Sequence, residues 1–303
     1  MSKLKWKVHH MPDQGGRVVI ITGATSGLGK EATKVFANKN AHVMLAVRNV
    51  QKGESVAKEI KQVFPAASMD VRMLDLSSLR SVKSFADEVT TAYSQLDVLI
   101  NNAGVMACPF SRTEDGFEIQ MGVNHLGHFA LTGYLMPLLQ DTTGSRIVAT
   151  SSIAHRRGNI DFDDLNWEKR PYVTGKAYGD SKLANLYFTF ELARKLNGVT
   201  NAPMVTAAHP GWTSTDLQRH SLPFRMLNPI FSQSVEQGVL PTLRAAIDPG
   251  AQPGDYFGPS GFMEMKGSPI IVKSSAMSQN VSHAKRLWEL SEEQTDIRYG
   301  KII

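Results

Sequence analysis

The fold turns on one stretch, Val18-Val19-Ile20-Ile21-Thr22-Gly23-Ala24-Thr25-Ser26-Gly27-Leu28-Gly29. A short β-branched run with no polar interruption reads as a strand buried on both faces. It passes without a linker into three glycines spaced G-x-x-x-G-x-G, and a pattern of helical period follows over Leu28–Asn38. Each glycine has its own physical reason there. Gly23 makes a turn that other residues resist, Gly27 lets backbone approach a pyrophosphate, and Gly29 lets the helix lie close to the sheet. The helix N-terminus then offers unpaired N–H groups and a positive dipole end to an anion. A plain tight turn needs only one or two glycines; three between a strand and a helix predict a dinucleotide phosphate loop.

The alternation continues outward from this loop. Strands are predicted at Arg17–Thr22, His42–Arg48, Met69–Asp75, Leu96–Asn101, Arg146–Ser152, Met204–His209 and Pro269–Val272. Helices are predicted at Leu28–Asn38, Gln51–Phe64, Leu79–Tyr93, Phe117–Gln140 and Ala177–Leu196. Such alternation with short links means βαβ crossovers. The expectation is an α/β fold: one doubly wound (Rossmann) domain over 1–303, with a mostly parallel seven-stranded sheet and helices on both faces. Residues 210–262 break the rhythm, with Trp212, Leu217, Leu222, Phe224, Met226, Leu227, Ile230 and Phe231 among Pro, Ser and Gln. A substrate lid is predicted around 212–231, at the carboxyl edge of the sheet where such folds bind ligands. A C-terminal extension over 266–303 carries a helix around Trp288 and Leu290.

Composition narrows the function classes. The 303 residues are 42% hydrophobic and 20% charged, which suits a globular chain with a full core and excludes a disordered one. The longest aliphatic run, Val43–Val47, is far short of the roughly 20 residues that span a bilayer. No integral membrane segment is expected. Nor does an apolar stretch follow the basic Met1–Lys7, so no secretory signal is read and a cytoplasmic location is expected. Cys108 is the only cysteine; it excludes an intrachain disulfide and a four-cysteine zinc site, and reads as a small buried hydrophobe. The net charge of +5 is scattered, which fits an anionic small ligand and gives no nucleic-acid partner. His125 and His128 are three apart with no acidic or cysteine partner at helical spacing, so packing rather than metal ligation is expected.

Cofactor choice rests on the end of the second strand. An acidic residue about 20 positions past the loop would bond the ribose 2′-hydroxyl of NAD. Arg48 stands there instead, 19 positions after Gly29, with no carboxylate until Glu54. An arginine pairs with a 2′-phosphate, so NADP is predicted. Tyr178-Gly179-Asp180-Ser181-Lys182 then sets a phenol and an ammonium four residues apart, on one face of a helix. The lysine charge is expected to lower the tyrosine pKa toward working pH, so that Tyr178 exchanges the proton of an alcohol/carbonyl pair.

Four further motifs accompany this pair in order: Asn101-Asn102-Ala103-Gly104, Asn124 opening Asn-His-Leu-Gly-His, Ser151-Ser152, and Pro210-Gly211. With them the sequence closely resembles the short-chain dehydrogenase/reductase family over residues 17–275. The resemblance implies that Tyr178 is the acid/base, that Lys182 holds the nicotinamide ribose, and that Ser152 donates to the substrate oxygen. It implies that Asn124 completes the tetrad by fixing a water in a proton relay. Thr22, Gly23, Thr25, Ser26, Gly27, Leu28 and Gly29 would then hold the phosphates, with Arg48, Asp75, Leu76, Asn101, Ala103 and Gly104 along the cleft. Asp75 would meet the adenine amino group; Pro210, Gly211, Thr213 and Thr215 would meet the carboxamide.

The branch is narrowed by spacing. Ser152 and Tyr178 are 26 apart, and the added stretch includes Asn159–Trp167 with Asp161, Asp163 and Asp164. Together with Asn-His-Leu-Gly-His-Phe, Ser-Lys-Leu-Ala-Asn and Gly254-Asp255-Tyr256-Phe257-Gly258-Pro259, this resembles the retinol-dehydrogenase-like group. The resemblance implies NADP chemistry on lipophilic or aromatic alcohols, aldehydes and ketones, and a homodimer or tetramer. Three alternatives are weighed against it. A sugar epimerase of the extended group would carry G-x-x-G-x-x-G, which is absent. A light-dependent protochlorophyllide-type reductase shares the Tyr–Lys pair but has a longer late insert and an active-site cysteine. A non-catalytic NADP-sensing module would tend to lose the tyrosine.

Overall fold

The computed structural model describes residues 5–213 and 232–301. In chain order the principal elements are β1 (Val18–Thr22), α1 (Gly27–Asn38), β2 (His42–Val47), α2 (Val50–Val63), β3 (Ser68–Met73), α3 (Leu79–Ala92) and β4 (Val98–Asn101). There follow α4 (Gly127–Asp141), β5 (Arg146–Thr150), α5 (Thr174–Lys195), β6 (Met204–Ala208), α6 (Leu240–Ile247), β7 (Tyr256–Pro259), β8 (Pro269–Ile271) and α7 (Val281–Thr295). Helix starts are set locally. Asn49 caps α2 by accepting from Lys52 N at 2.8 Å, and Asn280 caps α7 by accepting from His283 N at 3.1 Å.

The sheet runs β3-β2-β1-β4-β5-β6-β7-β8, and only β8 is antiparallel to its neighbour. Strand order reverses between β1 and β4, where Ile20 pairs with Met44 on one side and Leu99 on the other. That crevice, at the carboxyl ends of the strands, is where an open α/β sheet takes its ligand. Every residue of β1 and β4 is buried, because helices cover both faces. One face packs Val82 and Phe85 of α3, Phe129 and Leu135 of α4, and Phe188 of α5. The other packs Phe36 of α1, Ile60 of α2 and Leu243 of α6.

Three expectations are corrected. The sheet has eight strands rather than seven: Tyr256–Pro259 adds a parallel strand beside β6. At four residues ending in Gly258-Pro259 it lacks the β-branched run that marks a strand in sequence. The single helix read over Phe117–Gln140 is a turn at Ile119–Met121, a π-helical stretch at Gly122–Leu126, and then α4. Within 210–262, read as irregular, α6 forms and buries Leu240, Leu243 and Ile247. Of the lid expected around 212–231, residues 214–231 lie outside the described residues, and so does Thr215. The C-terminal extension docks as α7: Trp288 stacks on Phe188 with centroids 5.9 Å apart, and Tyr299 donates to the Phe129 carbonyl at 2.8 Å. Among the described residues no helix is long and apolar enough to cross a membrane.

Candidate active site

The glycine loop has the geometry its sequence demands. Gly23 and Gly27 have φ of 68° and 51°, in the left-handed region. A Cβ on Gly29 would strike the Gly23 carbonyl and lie 2.7 Å from Asn102 Nδ2, so the first turn of α1 closes onto the strand ends only with glycine there. Thr25, Ser26, Gly27 and Leu28 are half-buried and border the crevice. Thr22 Oγ1 accepts from Asn102 N and Ala103 N, both at 2.9 Å, which binds the loop to the end of β4. His128 Nε2, 2.9 Å away, orients that hydroxyl.

At the rim, Arg48 follows β2 and is exposed, with no ion pair to a described residue. Asp75 accepts from Ser77 N at 2.9 Å and Ser77 Oγ at 2.6 Å. Leu76 is buried in the core and leaves only its backbone for a ligand. Asn101 is buried too: its Nδ2 donates to Thr132 Oγ1 at 2.9 Å, while Oδ1 has no partner among the described residues. Asn102 is the one turned toward the loop, donating to the Thr22 carbonyl at 2.8 Å. Ala103 and Gly104 are half-buried beside it. Pro210 and Gly211 follow β6, and the Pro210 carbonyl accepts from Thr213 Oγ1 at 2.8 Å and Gln233 Nε2 at 2.7 Å.

The tetrad residues converge. Lys182 Nζ lies 5.7 Å from the Tyr178 ring centroid and donates to the Thr150 carbonyl at 3.1 Å. The carbonyl belongs to the last residue of β5, so the α5 helix is pinned to the strand end that precedes Ser151-Ser152. Asn124 sits in the π-helical stretch, a local widening that frequently marks functional sites. Its Oδ1 accepts from Val105 N at 2.8 Å, and its Nδ2 donates to Val105 O at 3.0 Å and Ser181 Oγ at 2.9 Å. A Cβ on Gly104 would lie 2.9 Å from Asn124 Oδ1 and 3.6 Å from Lys182 Nζ. Ser152 opens a short 3-10 turn, Ile153–Arg157, accepting from Ala154 N at 3.2 Å.

The electrostatics differ from the expectation that Lys182 lowers Tyr178. Burial pushes the phenol up to about 12, and a hydrogen bond with Ser152 draws it back only in part. Burial also pushes the Lys182 ammonium down to about 8. Both groups are displaced toward their neutral forms, because withdrawal from water penalises either charge. Sequence reasoning missed the residues that hold the tetrad and the loop: Ser181 and the Val105 backbone for Asn124, and His128 for Thr22. The position of Ser181, inside Tyr178–Lys182, was the available signal. His125 and His128 do not face a common point; His125 Nε2 meets Ser291 Oγ at 2.8 Å. Cys108 is half-buried rather than buried.

A doubly wound sheet with a glycine loop at its switch point, and a Tyr–Lys pair beside that loop, defines a Rossmann-type oxidoreductase. The short chain dehydrogenase model matches residues 17–225, and the chain belongs to that family, in its retinol-dehydrogenase-like branch. Retinol dehydrogenase 11 of Homo sapiens is 43% identical over 281 residues, covering 91% of this chain and 85% of its own length. Retinol dehydrogenase 12 of Homo sapiens is 43% identical over 290 residues, covering 94% of this chain and 88% of its own. Among solved structures, an uncharacterized protein from Mycobacterium paratuberculosis has a TM-score of 0.83 at 40% identity, over 97% of this chain and 99% of its own. A short chain dehydrogenase from Shigella flexneri complexed with NADP has a TM-score of 0.65 at 25% identity, over 80% of this chain and 96% of its own.

Proposed function

We propose that the chain is an NADP(H)-dependent oxidoreductase that interconverts an alcohol and a carbonyl on lipophilic or aromatic aldehydes and ketones, with Tyr178 as acid/base, in the cytoplasm. The observation that carries this reading is the convergence of Tyr178, Lys182, Ser152 and Asn124 beside the Gly23–Gly29 loop. The residues present fit the cofactor. The left-handed glycines and half-buried loop leave backbone N–H groups for a pyrophosphate, and Arg48 is an exposed cation at the β2 end. The NADP complex of the Shigella flexneri relative supports the same choice. When bound, NADP(H) supplies or accepts the hydride.

The chain's own residues do the rest. At neutral pH Tyr178 carries its proton, since burial holds it near 12. It is therefore set to donate that proton to a carbonyl oxygen as negative charge develops there. The Ser152 hydroxyl supplies a second, preorganised hydrogen bond to that oxygen. Lys182, largely protonated at pH 7 with a pKa near 8 and 5.7 Å from the phenol ring, would hold the nicotinamide ribose. Asn124 ties the Val105 segment to α5 and so keeps Tyr178 and Lys182 against the loop. The substrate preference rests on the retinol-dehydrogenase-like branch.

Incubation with NADPH and a panel of aromatic and long-chain aldehydes and ketones tests this. Turnover is expected, and Tyr178→Phe should abolish it while cofactor affinity is largely kept. NADPH binding without oxidation on any substrate, unaffected by Tyr178→Phe, would instead favour a cofactor-sensing module.

A further inference from the structure

Immediately after β6 lies His209, which is fully buried and takes no part in the motifs above. Its Nδ1 accepts the Gly211 N–H at 3.2 Å, and its Nε2 faces Glu264 Oε2 at 3.0 Å. An acceptor on one ring nitrogen leaves the proton on the other, so the network assigns the neutral tautomer, with Nε2–H close to the carboxylate but off the line of a hydrogen bond. The other oxygen, Glu264 Oε1, accepts from Arg156 Nη2 at 2.9 Å, and that nitrogen also donates to the Lys273 carbonyl at 2.8 Å. Arg156 belongs to the 3-10 turn that Ser152 opens. One carboxylate thus joins the turn after Ser152 to the turn containing Pro210 and Gly211.

The backbone takes an unfavourable path to bring that carboxylate inward. Met263 and Glu264 have φ of 50° and 57°, a region that residues with a side chain avoid. Phe262 and Met263 are meanwhile left 80% and 67% exposed. The β7–β8 hairpin holds the segment in place through Gly261 N to Lys266 O at 2.9 Å. Two glycines make room: a Cβ on Gly258 would strike the His209 ring, and one on Gly211 would strike the Met265 carbonyl. Strain maintained by the surrounding structure in this way points to function.

We propose that Glu264 is a positioning residue for the reaction, holding the Ser152 turn and the Pro210–Gly211 turn at a set separation through Arg156 and His209. Arg156 donates to one oxygen and the protonated Nε2 of His209 lies against the other, so the link calls for oxygen at both positions and hence a carboxylate. The inference rests on the reading above, in which Ser152 meets the substrate oxygen and Gly211 the cofactor.

Three variants test it: Glu264→Ala, which removes both contacts, Glu264→Gln, which sets an NH2 against one of the donors, and Glu264→Gln with Arg156→Gln, which restores a donor–acceptor pair. Three readouts are taken: kcat and KM with NADPH and a carbonyl, NADPH affinity by fluorescence, and hydrogen exchange at the Gly211 amide. Glu264→Gln should lower kcat/KM on the order of tenfold, the effect of losing one charge-assisted hydrogen bond. The double variant should recover most of that loss, which a merely structural role would not produce. Gly211 exchange should quicken on the order of tenfold in Glu264→Ala, as one local hydrogen bond loses its support. Gly211 exchange and kcat/KM both within twofold of wild type in Glu264→Ala would overturn the proposal. If the wild type shows no turnover, the functional reading fails, while Gly211 exchange and NADPH affinity still decide the clamp.

Discussion

Replacing Lys182 with methionine isolates what a buried ammonium costs this fold. Its side chain is buried, and burial lowers its pKa from 10.5 to about 8. That depression corresponds to roughly 3 kcal/mol against the charged form in the folded state. Methionine is close in length and carries no charge, so little cavity should form. Nor is the Thr150 carbonyl orphaned, since Asn185 Nδ2 also donates to it at 2.9 Å. Lys182→Met should therefore be more stable than wild type by about 1–3 kcal/mol at pH 7, the lower figure allowing for the lost Lys182 hydrogen bond. The sign with pH follows from linkage. Between about 8 and 10.5 the unfolded chain holds the lysine proton more tightly than the folded one, so wild-type stability rises with pH in that window. The variant lacks this gain, and the gap should shrink to about 1 kcal/mol or less by pH 10. Urea titrations of both proteins at pH 7 and pH 10, read as midpoints at unchanged m, measure it. Carbonyl reduction should be lost in the same variant. A less stable Lys182→Met at pH 7, or a gap that does not change with pH, would refute the reasoning.

Other expectations are simpler to state. Arg48→Asp should shift cofactor preference from NADPH toward NADH, and an unchanged ratio of kcat/KM values would remove Arg48 from the site. Gly29→Ala has no space for its methyl against the Gly23 carbonyl, so dinucleotide affinity measured by fluorescence should fall on the order of tenfold or more. Trp288→Ala removes a ring stacked on Phe188 and edge-on to Phe129, and should cost about 3–5 kcal/mol in urea denaturation. Because Tyr178 holds its proton to about 12, carbonyl reduction should be flat through neutral pH while alcohol oxidation climbs on the alkaline side. Initial rates in both directions from pH 6 to pH 10 check that difference.

Much of the fold was legible because the signals are local. The apolar run at β1, the spacing of Gly23, Gly27 and Gly29, and the helical period of α1 and α3 each sit within one short stretch of chain and report directly on backbone geometry. The pairing of Tyr178 with Lys182 was legible for the same reason, being one turn of one helix. β7 escaped because its strand character comes from lying between β6 and β8 rather than from its own residues. The π-helical stretch at Gly122–Leu126 escaped because the Asn-His-Leu-Gly-His pattern has ordinary helical spacing. Adjacent Asn101 and Asn102 could not be told apart by type; alternation along the strand end sends one toward Thr132 and the other toward Thr22.

What the chain's order of residues determined by itself is the doubly wound plan, the glycine loop between β1 and α1, and the placing of Tyr178 and Lys182 one turn apart on a helix. What only the folded structure decided is how those groups are held and charged. Asn124 is fastened to Ser181 across 57 positions, and His209 meets a carboxylate on a distant hairpin. Burial, not a neighbouring ammonium, sets the Tyr178 pKa. The physical reason is that propensity and spacing act along the backbone, whereas desolvation and side-chain hydrogen bonds depend on which residues the completed packing brings together.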